Sequence, residues 1–288
     1  MRSVEFENPQ QEKELIQLLI LSALSENPLA KKVTFHGGTA LRFCYHGNRY
    51  SNDLDFASAE ALDHQQIERF AEKLRKMFHR DLQNDVRVVV DPFNEENIVH
   101  KIAVGIIPKE RDKLYNKVLL DFSEHIPART PVSRFAQSSF FPDLRVYATV
   151  ETMEEILADK LVAFAARTIS WRSFKARDVW DIDWLEQTLV HKEPVLDLLV
   201  AKLQDYKISS ESFIQLSQQK VESLQTDQGK KTFTTEMRKY LDENLRWICD
   251  DDKAVRELLD RVKAVVLRFT EQIEVTSRVV EQEKGDER

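Results

Sequence analysis

From Gln10 to Ser25 apolar residues recur at helical spacing, with Leu15, Leu18, Leu19 and Leu21 to Leu24 on or near one face, and this predicts an amphipathic helix that Pro28 ends. Val33 to Phe35 reads as a short strand, Gly37-Gly38 as the turn out of it, and Thr39 to Tyr45 as a helix opened by Thr39. Ser51 to Ala57 alternates and predicts a second strand. Ala61 to Leu82 places Ile67, Phe70, Leu74 and Phe78 at helical spacing. Strand-like runs follow at Val86–Val90, Ile98–Ile107 and Val118–Phe122, separated by Asp91-Pro92 and by a polar connection over Pro108–Asn116. Ala128 to Leu144 carries prolines and little periodicity, which predicts a loop. Beyond Tyr147 the strand signal ends. Thr152–Ile169, Ala176–Val190, Pro194–Tyr206, Ser209–Ser223 and Lys231 to about Thr276 predict helices, and the terminal EQEKGDER predicts a frayed end.

The fold class is therefore α+β: a mixed sheet flanked by helices, then an all-helical half. The change of character predicts a boundary near residue 149, giving domains 1–149 and 150–288. No internal repeat or low-complexity segment is visible.

Composition narrows the function classes. Hydrophobic residues are 42% and charged residues 32%, as in a soluble globular chain. The longest apolar stretch, Leu15–Leu24, is too short to cross a bilayer, and MRSVEFENPQ has no signal-type apolar core, so no membrane association is expected. Two cysteines, Cys44 and Cys249, make no disulfide framework, and the cytoplasm is the expected compartment. A net charge of −7 argues against a general nucleic-acid coat protein, yet leaves room for a local basic patch or an acidic metal site.

The chemistry concentrates in FHGGTALRFCYHGNRYSNDLDF, residues 35–56. Three of the six glycines fall within it, a concentration that marks a tight backbone feature at Gly37-Gly38. On a strand Asp53 and Asp55 point to one face, their Cα atoms about 7 Å apart. Two carboxylates so placed repel unless a cation lies between them, and Mg²⁺ is the hard, oxygen-seeking choice. A Gly-Gly turn entering a helix offers free N–H groups and the positive helix end to a phosphate, and Thr39 adds a hydroxyl. Arg49 and Ser51 lie on the approach, where they would orient the carboxylates or touch phosphate.

Gly-Gly, short helix, then D-x-D on the next strand resembles the nucleotidyltransferase superfamily of DNA polymerase β. The combination GGTAL…RYSNDLDF, EEILADKLVAFAAR and KARDVWDIDWL is similar to the AbiEii/AbiGii-type family, over about residues 33–190. These are nucleotidyltransferase-like toxins of bacterial toxin–antitoxin and abortive-infection phage-defence systems. The resemblance implies that Gly37, Gly38 and Thr39 contact triphosphate and that Asp53 and Asp55 are metal ligands. It also implies a third acidic residue on a later strand. Asp121 in VLLDFS is preferred over Asp91, because Pro92 puts Asp91 in a turn. Lys160 matches the family's lysine and would meet triphosphate charge, with Arg167 two turns further along the same face. Arg177, Asp178 and Asp181 match its R-D-x-x-D. Asp178 would pair with Lys160 or Arg49, or organise the site directly.

Arg167, Arg172, Lys175 and Arg177 interleave with Trp171 and Phe174, a stretch that would hold RNA or triphosphate, or be a solvated loop with its aromatics in the core. The implied activity is transfer of a nucleotidyl group from an NTP, at a two-Mg²⁺ site, to RNA, notably the tRNA 3′ end, blocking translation and growth; a cognate antitoxin would be a partner. The competing readings are transfer to a protein or to a small molecule such as an aminoglycoside, and a non-catalytic binding module.

Overall fold

The computed structural model describes residues 9–82, 86–91, 99–106, 115–167 and 174–286, with the side chains of 80–82, 86, 106, 115, 116 and 279–286 left aside. The expected connection over Pro108–Asn116, Pro92, and Trp171 with Arg172 lie wholly or largely outside these residues. The chain divides into two compact units, Met1–Thr152 and Met153–Arg288.

The first unit runs α1 (Pro9–Ser25), a 3₁₀ turn (Pro28–Lys31), β1 (Thr34–His36), α2 (Gly37–Cys44), β2 (Leu54–Ala57), α3 (His64–Leu82), β3 (Val86–Val90), β4 (Val99–Ile106), β5 (Tyr115–Ser123), β6 (Pro131–Ser138) and β7 (Phe141–Glu151). The sheet is mixed and seven-stranded, in the order β3-β4-β5-β2-β1-β7-β6. β1 is antiparallel to β2 and parallel to β7, and β2 is parallel to β5. Inward side chains of these central strands form one aromatic column: Phe35 to Phe56 at 5.4 Å between ring centres, Phe56 to Phe122 at 4.9 Å, and Phe70 of α3 edge-on to Phe122 at 6.5 Å. Ile67, Phe70, Leu74 and Phe78, the stripe read from the sequence, are all fully buried. This rigid centre carries the strand ends on which the candidate site is built.

The segment Ala128–Leu144, expected to be a loop, forms most of a hairpin instead. β6 pairs antiparallel with β7 from Pro131↔Glu151 to Gln137↔Arg145. The usual apolar alternation is missing because β6 is an edge strand and the hairpin leaves Phe135 and Tyr147 exposed, packed edge-on to one another at 5.2 Å. Pro131 is tolerated as the first residue of that edge strand.

The second unit is α4 (Met153–Ala166), α5 (Ala176–Thr188), α6 (Glu193–Asp205), α7 (Ser210–Leu224), α8 (Asp227–Met237), a 3₁₀ turn (Arg246–Cys249) and α9 (Asp252–Asp286). The single helix expected from Lys231 onward is thus two. The side chain of Thr226 caps α8 by accepting from the Gly229 N–H at 3.0 Å. Asp251 Oδ1 accepts from the N–H groups of Lys253 and Ala254 at 2.8 and 3.2 Å, which starts α9 afresh. α9 then continues to Asp286, through the stretch expected to fray. Its stripe Val255, Leu258, Leu259, Val262, Val265, Val266, Phe269 and Ile273 is buried. Two bidentate pairs fix it to α5: Arg261 to Asp183 at 2.7 and 3.0 Å, and Arg268 to Glu186 at 2.9 Å twice. Lys202 of α6, without solvent exposure, binds Glu155 and Asp159 of α4 at 2.8 and 3.0 Å. Among the described residues no helix is long and apolar enough to cross a membrane. Both cysteines are buried and free, and burial pushes the Cys44 thiol up to about 12, so it offers no thiolate nucleophile near neutral pH.

Candidate active site

The parallel register of β2 and β5 sets Asp55 directly beside Asp121, and the antiparallel register of β1 and β2 sets Asp55 opposite His36. Asp53 precedes the first residue of β2, so the D-x-D pair straddles the strand's start rather than lying wholly on it, as the sequence reading had placed it. One Asp121 oxygen, Oδ1, is buried with no hydrogen-bond partner among the described residues, while Oδ2 lies 3.7 Å from Lys101 Nζ. Burial raises the Asp121 carboxyl; Lys101 opposes this, and the negative charges of Asp55 and Asp53 add to the rise. Asp91 follows β3 at the outer end of the sheet, exposed, its N–H bonded to the Lys101 carbonyl. β4 separates it from β5, so the register brings Asp121 to Asp55 and leaves Asp91 apart.

α2 begins at Gly37, two residues before the expected start at Thr39, so the two glycines are its first turn. Gly37 has φ +78°, and a Cβ there would stand 2.6 Å from Asp55 Oδ2. The backbone is therefore left-handed where the chain passes closest to the carboxylate. A Cβ on Gly38 would stand 2.4 Å from Arg49 Nη2 and 3.0 Å from Ser51 Oγ. Arg49 is buried against this turn, and its Nη1 donates to the Tyr50 carbonyl at 2.9 Å. Thr39 is fully buried and gives its hydroxyl hydrogen to the carbonyl of Asp53. This bond ties α2 to the acidic segment.

Two residues that sequence reasoning missed also reach this segment. Lys13 Nζ of α1 donates to Asn52 Oδ1 at 3.0 Å, and Gln17 Nε2, one turn further, donates to the Ser51 carbonyl at 3.1 Å. Burial lowers the Lys13 ammonium, and the nearby Asp53 charge partly restores it. In the sequence Gln17 is a lone polar residue within the apolar run Leu15–Leu21, whereas Lys13 lies in the polar stretch Gln10–Glu14 and does not stand out.

In the second unit Lys160 Nζ lies 2.9 Å from Asp178 Oδ1 and 2.8 Å from Asp181 Oδ2, and Arg167 Nη1 lies 2.7 Å from Asp178 Oδ2. Lys160, Arg167, Asp178 and Asp181 therefore form one cluster in which the two carboxylates are buried, with Lys160 and Arg167 both partners of Asp178. Burial would raise the Asp178 carboxyl, but Lys160 and Arg167 outweigh it and hold the group far below the usual carboxylate range. Lys175 stands close enough for burial, with Arg167 next, to lower its ammonium. Arg177 stacks over the Tyr240 ring at 4.7 Å. Phe174 is buried in the core, so it is not an exposed stacking platform.

A mixed sheet whose second strand follows a Gly-Gly helix start, with carboxylates at the ends of adjacent strands, defines the nucleotidyltransferase class of fold. Residues 19–278 match the family described as nucleotidyl transferase AbiEii toxin, type IV toxin–antitoxin system, and the chain belongs to that family. It is a nucleotidyltransferase toxin of the AbiEii type, with a nucleoside triphosphate as substrate and a cognate antitoxin implied. Among curated proteins none matches the sequence. Solved structures that share the fold include the following three. JHP933 from Helicobacter pylori is 17% identical, over 97% of this chain and all of that one, with a TM-score of 0.52. A putative nucleotidyltransferase from H. pylori is 18% identical, over 94% and 99%, at 0.52. MenT4, the nucleotidyltransferase toxin Rv2826c from Mycobacterium tuberculosis H37Rv, is 18% identical, over 90% and 93%, at 0.54.

Proposed function

We propose that this toxin transfers a nucleotidyl group from an NTP to an RNA acceptor, the tRNA 3′ end, in a Mg²⁺-dependent reaction that stops translation. The observation that carries the reading is the placement of Asp55 beside Asp121 and against the Gly37 turn. The donor set suits a hard cation: all its ligand atoms are carboxylate oxygens, and the buried Asp121 Oδ1 is without a partner among the described residues. Asp53, Asp55 and Asp121 would hold the Mg²⁺, which when bound supplies charge to the phosphates and lowers the pKa of a coordinated hydroxyl. Asp121 is the group to accept the proton of the acceptor hydroxyl. That oxygen bonds to the α-phosphorus, the bond to the β-phosphate bridge breaks, and pyrophosphate leaves. The N–H groups of the first turn of α2 face phosphate oxygens, with Gly38 leaving room for Arg49 and Ser51 behind the turn. Within the helical unit, Lys160 and Arg167 offer two cations suited to phosphate, both held by Asp178 and Lys160 also by Asp181. Carboxylates and cations suit this work because phosphoryl chemistry is catalysed by positioning and electrostatics.

The test is incubation of the protein with each labelled NTP, Mg²⁺ and total cell RNA or protein. Label at the 3′ end of tRNA is the expected result, lost in Asp53→Asn and Asp55→Asn variants that keep the wild-type thermal midpoint. Label in protein, in a small molecule, or undiminished in those variants would overturn the reading.

A further inference from the structure

We infer that Lys13 and Gln17 of α1 are positioning residues that hold Asp53 ready for its metal. The inference rests on the metal-binding reading above and adds to it a part of the chain outside the motifs. Asp55 and Asp121 are fixed by strand pairing, each aligned with its neighbour in the sheet. Asp53 is not: residues 50–53 lie before β2 and enter none of its pairings. Side chains from other parts of the unit reach this segment residue by residue. Arg49 donates to the Tyr50 carbonyl at 2.9 Å, Gln17 to the Ser51 carbonyl at 3.1 Å, Lys13 to Asn52 Oδ1 at 3.0 Å, and Thr39 to the Asp53 carbonyl. Two of these four come from one face of α1.

The packing of Gln17 shows what it does. Its side chain is wholly buried, and its Oε1 has no hydrogen-bond partner among the described residues. A buried amide satisfied only at its nitrogen is a poor core residue; an apolar chain of equal length would pack there without an unsatisfied oxygen. What Gln17 supplies that such a chain does not is the bond to Ser51. Lys13 is likewise drawn out of water toward Asn52, with its positive charge beside Asp53. Both act on Asp53 through its neighbours and touch no reacting atom.

The experiment uses the full chain with Gln17→Met, Lys13→Met, Lys13→Arg and, as reference, Asp53→Asn. Mn²⁺ binding is titrated without nucleotide, metal-free thermal midpoints are recorded, and kcat and NTP KM are measured at saturating metal. Gln17→Met is expected to keep or raise the metal-free midpoint while Mn²⁺ affinity falls by about tenfold to a hundredfold, the usual effect of removing a residue that orients a ligand. Deleting the Lys13 cation also favours metal by charge, so Lys13 is read on turnover. Lys13→Met should lose about tenfold in kcat with NTP KM unmoved, and Lys13→Arg should recover most of it. Wild-type Mn²⁺ affinity in Gln17→Met, beside lost affinity in Asp53→Asn, would sink the inference alone. So would a kcat loss that follows the thermal midpoint, or a raised NTP KM in Lys13→Met with kcat intact. A wild-type protein that binds Mn²⁺ no better than Asp53→Asn would overturn the metal reading and this inference with it.

Discussion

Gly37 and Gly38 differ in what an added methyl group would meet. At Gly37 alanine takes on a left-handed backbone, which costs about 1–2 kcal/mol, and its Cβ presses on the Asp55 carboxylate. At Gly38 the obstacles are the ends of two side chains, Arg49 and Ser51. Gly37→Ala should therefore lower the thermal midpoint more than Gly38→Ala and cut nucleotidyl transfer by at least about tenfold through the displaced carboxylate. Scanning fluorimetry and initial rates on the two variants check this, and equal behaviour would contradict the geometry. Asp178 makes the corresponding case in the helical unit. Its folded-state pKa is depressed, so its stabilisation is complete above the ordinary carboxylate value near 4 and is lost as pH falls below that toward the folded value. Asp178→Asn leaves Lys160 and Arg167 short of their shared anion and should destabilise the unit by on the order of 3 kcal/mol at neutral pH. The gap between variant and wild type should narrow in acid; urea unfolding at pH 7 and pH 3 measures both. Asp53, Asp55 and Gly37 were legible because their chemistry is packed into one short segment. Lys13 and Gln17 were not, since Lys13–Asn52 and Gln17–Ser51 span 39 and 34 positions that only folding brings together.

Helices were read more truly than strands. α3 displays its buried stripe at regular spacing, so periodicity alone locates it. The β6–β7 hairpin was invisible because its pairing is satisfied by backbone bonds while Phe135 and Tyr147 stay in solvent, erasing the pattern. The break between α8 and α9 was written in polar residues, Asp251 above all, that an apolar repeat on both sides concealed. Lys202 was hidden for a related reason: it occupies a core position on α6, where an apolar residue is the ordinary expectation. Buried with it are Glu155 and, mostly, Asp159. Lys202→Met removes the buried cation paired with these two acids and should destabilise the helical unit by about 3–5 kcal/mol. Adding Glu155→Met should recover part of that loss, because a buried acid without its cation is worse than an apolar side chain. Chemical denaturation followed by circular dichroism compares the single and double variants; a double variant no more stable than the single one would show that the network is not held by charge balance.

The molecule as a whole carries seven more negative than positive charges, and near Asp55 that excess works against the fold. The folded-state pKa of Asp121 is raised, first by burial and then by Asp55 and Asp53, so its ionised form is less welcome in the native protein than in the unfolded chain. The sign follows: without metal, its contribution to stability declines as pH rises from the ordinary carboxylate value through the raised one, and at neutral pH the ionised group is a net destabiliser. A site that binds a cation with these oxygens reverses the penalty. Asp121→Asn should therefore be as stable as wild type or more so in the absence of metal, and less responsive to its addition. Mg²⁺ at a hundred times its dissociation constant should stabilise the wild-type protein by about 2.7 kcal/mol, whereas the variant should gain much less. Thermal midpoints with chelator and across a Mg²⁺ titration decide the matter. A destabilised, fully Mg²⁺-responsive Asp121→Asn would mean that Asp121 serves the fold and that the metal is held elsewhere.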